Sequence, residues 1–135
     1  MKSNSIVQVM TSDVISVTPE QNILDVKHIY ENKKWHHHIP VVDHDKLIGM
    51  VSLVDFMYHI MGAGISDDHE VYQKLKVKDI MTAKPFYLTT KATVEDVAKV
   101  LATQYYHAVP ILENDKLAGI VSTADIINYF LNKTD

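Results

Sequence analysis

Cysteine is absent from the 135 residues, and so is arginine: all 13 basic side chains are lysine. Without cysteine there are no disulfides, thiolate nucleophiles or Cys-ligated zinc. Without arginine the chain lacks the side chain that most often reads guanine edges and grips phosphate as a fork. With 17 acidic groups and a net charge of -4, it is a poor partner for nucleic acid. No apolar run approaches the ~18 residues that span a bilayer. The opening "MKSNSIVQVM" also lacks the apolar core of a signal peptide, so a cytoplasmic location with no membrane partner is expected. Neither a nucleophile with an adjacent base nor a glycine loop of the P-loop type is found, and the sequence predicts no catalysis.

What is present is a duplication. "VMTSDVISVTPEQNILDV" (9–26) lies over "IMTAKPFYLTTKATVEDV" (80–97), with Met10 on Met81, Val17 on Leu88 and Asp25 on Asp96. "HIPVVDHDKLIGMVSLVDFM" (38–57) lies over "AVPILENDKLAGIVSTADII" (108–127), the shift falling from 71 to 70 residues because one extra residue sits between 27 and 37. Each copy is too small to bury its own apolar face, so the core is expected between the copies.

Both copies read as strand, helix, strand, strand, helix. "VISV" and "FYL" are short β-type runs. Apolar residues at helical spacing follow, Ile23, Val26, Ile29 and Tyr30 in one copy and Val94, Val97 and Leu101 in the other, with Asn22 and Thr93 as N-caps. The runs "IPVV" and "LIGMVS", joined by "DHDK", predict a hairpin, as do "VPIL" and "LAGIVS" joined by "ENDK". The division is a first unit over 1–61, a glycine-containing charged linker over 62–76 and a second unit over 77–135. The closing helices carry Phe56, Met57, Tyr58, Ile60 and Met61, and Ile126, Ile127, Tyr129, Phe130 and Leu131, apolar on more than one side. A second apolar side fits either deep burial or a partner surface, most simply a second copy of the chain.

The most specific motif is "GMVSLVD" (49–55), repeated as "GIVSTAD" (119–125). A strand ends, Ser52 or Ser122 stands where a helix begins, and Asp55 or Asp125 follows one turn later. One reading is a variant capping box, the serine accepting from the third helical amide while the acid reaches back. The other uses the same geometry for a ligand. Helix N-terminal amides and the serine hydroxyl would hold a phosphate, and the aspartate would accept from ribose hydroxyls. In this second reading the glycine lets the ligand approach the backbone.

With these motifs in this order twice, nearly the whole chain resembles the cystathionine β-synthase (CBS) domain family, specifically small proteins made of a tandem pair. The resemblance implies an α+β fold of two β-α-β-β-α repeats packed through their sheets with pseudo-two-fold symmetry, disc-shaped homodimers and no catalysis. It implies a regulatory module that senses adenosine-containing ligands (AMP, ADP, ATP or S-adenosylmethionine) in the cleft between the repeats and passes occupancy to an unidentified regulated protein. No cofactor is required. By the same resemblance Asp55 and Asp125 would bind ribose and Ser52 and Ser122 phosphate. Adenine would lie against Val14, Ile15 and Val17 for the Asp125 site, and against Pro85, Phe86 and Leu88 for the Asp55 site. His37, His38 and His107, just before the "IP" and "VP" steps, stand where relatives touch phosphates, often with arginine; Ala108 occupies the position matching His38.

Two other functions compete. The triplet His36, His37 and His38 suggests a metal sensor, but in an extended segment only His36 and His38 share a face, and further ligands such as His28, His69 or Asp68 would be needed. A ligand-free dimerisation or scaffold module is the third reading. The complete Ser-x-x-Asp pair in both copies argues against it.

Overall fold

Both polar turns close tight hairpins, and the rest of each fold is built around them. The computed structural model describes residues 4–32 and 37–132. A 3-10 turn at Ile6–Gln8 comes first. The elements are then α1 (Ile23–Asn32), β1 (His38–Asp43), β2 (Lys46–Ser52), α2 (Leu53–His59), α3 (Glu70–Lys74), α4 (Val77–Ile80), β3 (Thr82–Ala83), β4 (Leu88–Thr89), α5 (Val94–Ala102), β5 (Ala108–Glu113), β6 (Lys116–Ser122) and α6 (Thr123–Asn132). In the β1–β2 turn His44 and Asp45 both have positive φ, 51° and 68°, and in the β5–β6 turn Asn114 and Asp115 have 52° and 66°. Two left-handed residues in succession make the type I′ turn whose twist matches that of the flanking strands.

The α+β expectation holds: there are two three-stranded sheets, ordered β1-β2-β3 and β4-β5-β6. β4 runs parallel to β5, and the hairpin pairs are antiparallel. Of the first copy's "VISV", only Val17 pairs, through a single parallel bridge to Val41.

The chain divides into two compact units that do not follow the order of the copies. A central unit runs from Ile15 to Pro85, and a split unit joins the segment ending at Val14 to the chain from Phe86 onward. In the split unit Ile6 is completely buried beside Val94, Val97, Val109 and Val121, a burial worth about 1.5–3 kcal/mol. The Asn4 carbonyl accepts the Val94 amide at the head of α5 (2.8 Å), and Thr11 and Ile120 exchange two backbone hydrogen bonds. In the central unit Val77 is buried with Ile23, Ile39 and Val51. The Leu75 carbonyl there accepts the Ile23 amide at the head of α1 (3.0 Å), and β3 pairs with β2. The 71-residue shift matches Ile6 with Val77 and Met10 with Met81. Each unit is therefore closed by the leading segment of the other copy, through equivalent contacts.

Residues 62–76 do more than connect. They form α3, whose Tyr72 is buried against Phe56 in the central core and donates its hydroxyl to the Gly64 carbonyl (2.7 Å). Among the described residues no helix is long and apolar enough to cross a membrane.

Candidate functional site

The end of each hairpin sets the position of the Ser-x-x-Asp motif. In the central unit Ser52 pairs with His38 across the β1–β2 ladder, and in the split unit Ser122 pairs with Ala108 across β5–β6. Cross-strand partners share a sheet face, so the residue before each proline step comes to the serine of its own unit. The His37 carbonyl then accepts the Leu53 amide at 2.8 Å, and the His107 carbonyl accepts the Thr123 amide at 3.3 Å. Val109 and Ile39, next in the strands, are fully buried and hold this end of each hairpin in place.

The capping geometry is realised at both positions. Ser52 Oγ accepts the Asp55 amide (3.0 Å) while Asp55 Oδ2 accepts the Ser52 amide (3.4 Å). Ser122 Oγ accepts the Asp125 amide (3.2 Å) and Asp125 Oδ2 the Ser122 amide (2.8 Å). Two first-turn amides of each helix, at Leu53 and Asp55 and at Thr123 and Asp125, are thus already engaged. Each serine retains its O–H as a donor, because a hydroxyl that accepts can still donate. Each aspartate is half-buried with one oxygen fixed by its own helix cap, so its direction is set before any ligand arrives.

The two aspartates differ in surroundings. Asp55 Oδ2 also lies 3.4 Å from Thr82 Oγ1, and the Asp55 backbone carbonyl lies 2.7 Å from His59 Nδ1. Burial, and secondarily the Asp55 carboxylate, push the Tyr30 phenol well above its ordinary range, keeping it a neutral donor towards the Val51 carbonyl. Asp125 instead lines a groove of about 410 Å³ with Asn4, Gln8, Val9, Asn128, Tyr129 and Asn132, within the size range of small-molecule sites. Asn4 Nδ2 donates to Tyr129 Oη at 2.6 Å. Asn128 and Asn132 follow Asp125 on one helix face, a spacing visible in the sequence. Asn4 and Gln8 come from the opposite end of the chain.

The glycine of the motif makes room for the protein itself and not for a ligand. A Cβ on Gly49 would lie 2.5 Å from Met81 Sδ, and one on Gly119 would lie 2.6 Å from Met10 Sδ and 2.9 Å from the Thr11 carbonyl. The leading Met-Thr step of the opposite copy fills the space in both units.

The apolar positions separate by accessibility. Val17 is only 2% exposed, its amide bonds to the Pro40 carbonyl and its carbonyl takes the Val42 amide. Every group of Val17 is therefore committed to the core, which leaves it no surface for the ligand contact expected of it. Val14, Ile15, Pro85 and Leu88 are half-buried, and Phe86 is exposed. Val14, Phe86 and Leu88 belong to the split unit and Ile15 and Pro85 to the central one.

Among the histidines considered as metal ligands, His36 lies outside the described residues. His28, Glu31 and Asp67 bring their ligand atoms within 4.8 Å of one another. This cluster already holds a cation. The buried Lys27 places Nζ 2.6 Å from Asp67 and 3.0 Å from Glu31, and His28 Nε2 lies 2.9 Å from Asp67.

The CBS domain model matches the sequence twice, at residues 6–62 and 77–132. The chain belongs to the CBS domain family. An uncharacterised protein of Methanocaldococcus jannaschii, MJ0188, is 33% identical over 128 residues, which are 93% of this chain and 43% of that protein. The chain spans about half the length of the curated relatives it matches. CBSX2 of Arabidopsis thaliana, solved in complex with AMP, superposes with a TM-score of 0.82 at 23% identity, covering 98% of this chain and 99% of that one. The CBS pair of MJ0100, solved with 5′-methylthioadenosine and S-adenosyl-L-methionine, gives a TM-score of 0.81 at 21% identity over 98% of this chain and 100% of that one. These likenesses fix the fold as that of a CBS pair.

Proposed function

We propose that this CBS pair is a non-catalytic, cytoplasmic regulatory module that senses an adenosine-containing ligand, AMP, ADP, ATP or S-adenosylmethionine, and reports its occupancy to a partner protein. The observation that carries the reading is the duplicated Ser-x-x-Asp box, with a carboxylate pre-oriented at the head of a helix in both units. The ligands held by proteins of the same fold support it. Asp55 and Asp125 accept from ribose hydroxyls, which needs ionised carboxylates with an oxygen left for the ligand. Ser52 and Ser122 donate their O–H to phosphate. His37, His38 and His107 supply the remaining polar contact at the same sheet ends, in a chain without arginine. Val14, Ile15, Pro85, Phe86 and Leu88 offer the apolar surface for adenine.

The module works as a homodimer through α2 and α6. Val54, Met57, Tyr58 and Met61 are exposed on and just beyond α2, as are Ile127, Phe130 and Leu131 on α6. The deep-burial reading of these helices therefore does not hold within one chain. Of the donors that the metal reading names, His28 is paired with Asp67, which Lys27 also clasps, and His36 lies outside the described residues.

Thermal unfolding with and without ligand tests the proposal. A ligand that binds only the folded state stabilises it by ~2.7 kcal/mol at a hundred times its Kd, so AMP, ATP or S-adenosylmethionine is expected to raise the Tm of the wild type. Asp55→Ala combined with Asp125→Ala removes the acidic half of two capping boxes and lowers the starting Tm, so the quantity read is the ligand-dependent increment. That increment is expected to vanish. An undiminished increment in the double variant removes the ribose-acceptor role, and a shift with zinc but with no adenosine compound would revive the metal reading.

A further inference from the structure

The split unit has a second cleft, at the other end of its sheet. Ser122 pairs with Ala108 where β5 begins, whereas this cleft lies where β5 ends at Glu113, about 16 Å further along the strand. It encloses about 330 Å³ between the end of β4 and the β5–β6 turn, with Tyr87, Thr90, Lys91, Leu112, Glu113 and Asp115 in its lining. That volume lies within the range of small-molecule sites. The Leu112 carbonyl accepts the Thr90 amide at 3.0 Å and Leu112 itself is buried, so this part of the lining is held by the sheet. Tyr87 is 48% exposed and leaves its ring open to a visitor.

The charges here behave differently from those at the matching corner of the central unit. The repeat alignment sets Lys91 on Glu20, Glu113 on Asp43, Tyr87 on Ser16 and Thr90 on Pro19. In the central unit Glu20 is taken by Lys76 and Lys78, and Asp43 lies 2.9 Å from His44 Nδ1. In the split unit Lys91, Glu113 and Asp115 make no ion pair with any described residue. One small cleft therefore holds both signs of charge without neutralising them.

From this juxtaposition we infer that the cleft binds a small zwitterion, a free α-amino acid with an apolar side chain, at a site separate from the Ser-x-x-Asp boxes. A ligand of one charge sign meets repulsion there, from Lys91 if it is a cation and from Glu113 and Asp115 if it is an anion. An α-amino acid carries both charges on one carbon. Its carboxylate is received by the Lys91 ammonium and the Thr90 hydroxyl, its ammonium by the Glu113 and Asp115 carboxylates, and charge-assisted hydrogen bonds of this kind are the stronger ones. The Tyr87 ring covers the side chain. The central unit has no such site, because Ser16 and Pro19 supply neither the ring nor the hydroxyl and Glu20 reverses the charge of Lys91. The inference does not depend on the adenosine reading.

Calorimetric titration of the full chain with L-alanine, L-valine, L-leucine and L-phenylalanine tests this. At least one of the four is expected to bind with a Kd below about 1 mM. For that amino acid, capping the amine as the N-acetyl derivative or the acid as the amide is expected to weaken binding about tenfold or more, the scale of losing a hydrogen bond to a charged group. Lys91→Gln and Glu113→Gln are each expected to cost about the same factor. Both residues are exposed and unpaired, so the variants should melt within a degree or two of wild type, and any ligand-dependent Tm increment from AMP should be unchanged in them. Three results overturn the inference. The first is no binding of any of the four by wild type, the second is full affinity for either capped derivative, and the third is wild-type affinity in both variants, which puts the ligand elsewhere on the chain.

Discussion

The central and split units carry the same hairpin, the same capped helix and the same borrowed leading segment, but they are fastened differently. The central unit is held by charge as well as by apolar burial. Lys27, buried in α1 with its Nζ 5.5 Å from the centroid of the Tyr72 ring, clasps Asp67 and Glu31, and Glu20 takes both Lys76 and Lys78 at 2.9 Å. The split unit has Ala98, Lys91 and Ser5 at the positions matching Lys27, Glu20 and Lys76, so neither clasp can form there. Its leading segment depends on Ile6, backbone hydrogen bonds and the Asn4–Tyr129 contact. The motif geometry survives this difference because it is set inside each hairpin and its cap. Motif geometry and unit stability can thus vary separately.

The largest expected effect concerns the proposed homodimer, for which each unit offers its own exposed apolar helix face. Lysine in place of a buried interface anchor costs at least as much as truncation, which is ~2 kcal/mol or more at a hot spot, or about 30-fold in affinity. Sedimentation at micromolar concentration is expected to find wild-type dimers and to find monomers for Met57→Lys with Phe130→Lys. A monomeric wild type removes the dimer. Dissociation by Phe130→Lys alone, with Met57→Lys silent, would assign the interface to the split unit.

Next in size is the glycine pair. Alanine at Gly119 meets the Thr11 carbonyl at 2.9 Å, and backbone cannot swing aside. Alanine at Gly49 meets the Thr82 carbonyl at 3.2 Å and chiefly displaces the flexible Met81 thioether. Overpacking of this kind costs about 1–3 kcal/mol. Gly119→Ala is therefore expected to lower denaturant stability towards the upper end of that range and Gly49→Ala towards the lower. Equal losses would mean that the leading segments are equally yielding in the two units.

Much of this was readable in the chain. The hairpins were, because alternating burial and two-residue polar turns are local signals, and so was the Thr93 cap, which takes the Asp96 amide at 3.1 Å. The Ser-x-x-Asp boxes were visible too, with their two readings compatible: the cap that stabilises the helix also aims the carboxylate. The exchange of leading segments was not, because a duplication equalises the contacts. Asn4 does for α5 what Leu75 does for α1, and the residue pattern is the same whichever copy supplies the segment. α3, five residues long, is too short to show a helical period, so Tyr72 gave no hint of its burial. The groove beside Asp125 draws Asn4 and Gln8 from more than a hundred residues away, a distance that local spacing cannot bridge. Phe86 was singled out through the resemblance, but Tyr106, whose ring stacks on it, follows a helix and precedes a strand with no pattern of its own.

The smallest expected effect separates the units by acid. In the central unit the Lys76 and Lys78 ammonium groups hold the Glu20 carboxyl down at about 2, and hydrogen bonds from Lys27 first and His28 second hold Asp67 below its ordinary value. A carboxylate whose folded pKa is depressed contributes stability that is fully present above its unfolded value, ~4 for Glu and Asp, and is lost as pH falls through the folded value. Both groups are well exposed, so water and salt screen each clasp and the effect is modest. Acidification from pH 5 towards pH 2 is therefore expected to lower the amide protection factors, taken relative to the intrinsic exchange rate at each pH, in 64–80, where the clasps attach, before it does so around the Ile6 turn. In the split unit the Asp96 carboxyl is also held low, by the Thr93 amide and then the Thr93 hydroxyl, so α5 loosens over the same pH range. The Ile6 turn, held by apolar burial, is the better reference. Glu20→Gln with Asp67→Asn keeps the shape of both side chains and removes the titration, so it should bring the two segments to similar acid profiles. If wild type already loses protection in both segments at the same pH, the ionic clasps do not distinguish the units, and apolar closure governs both.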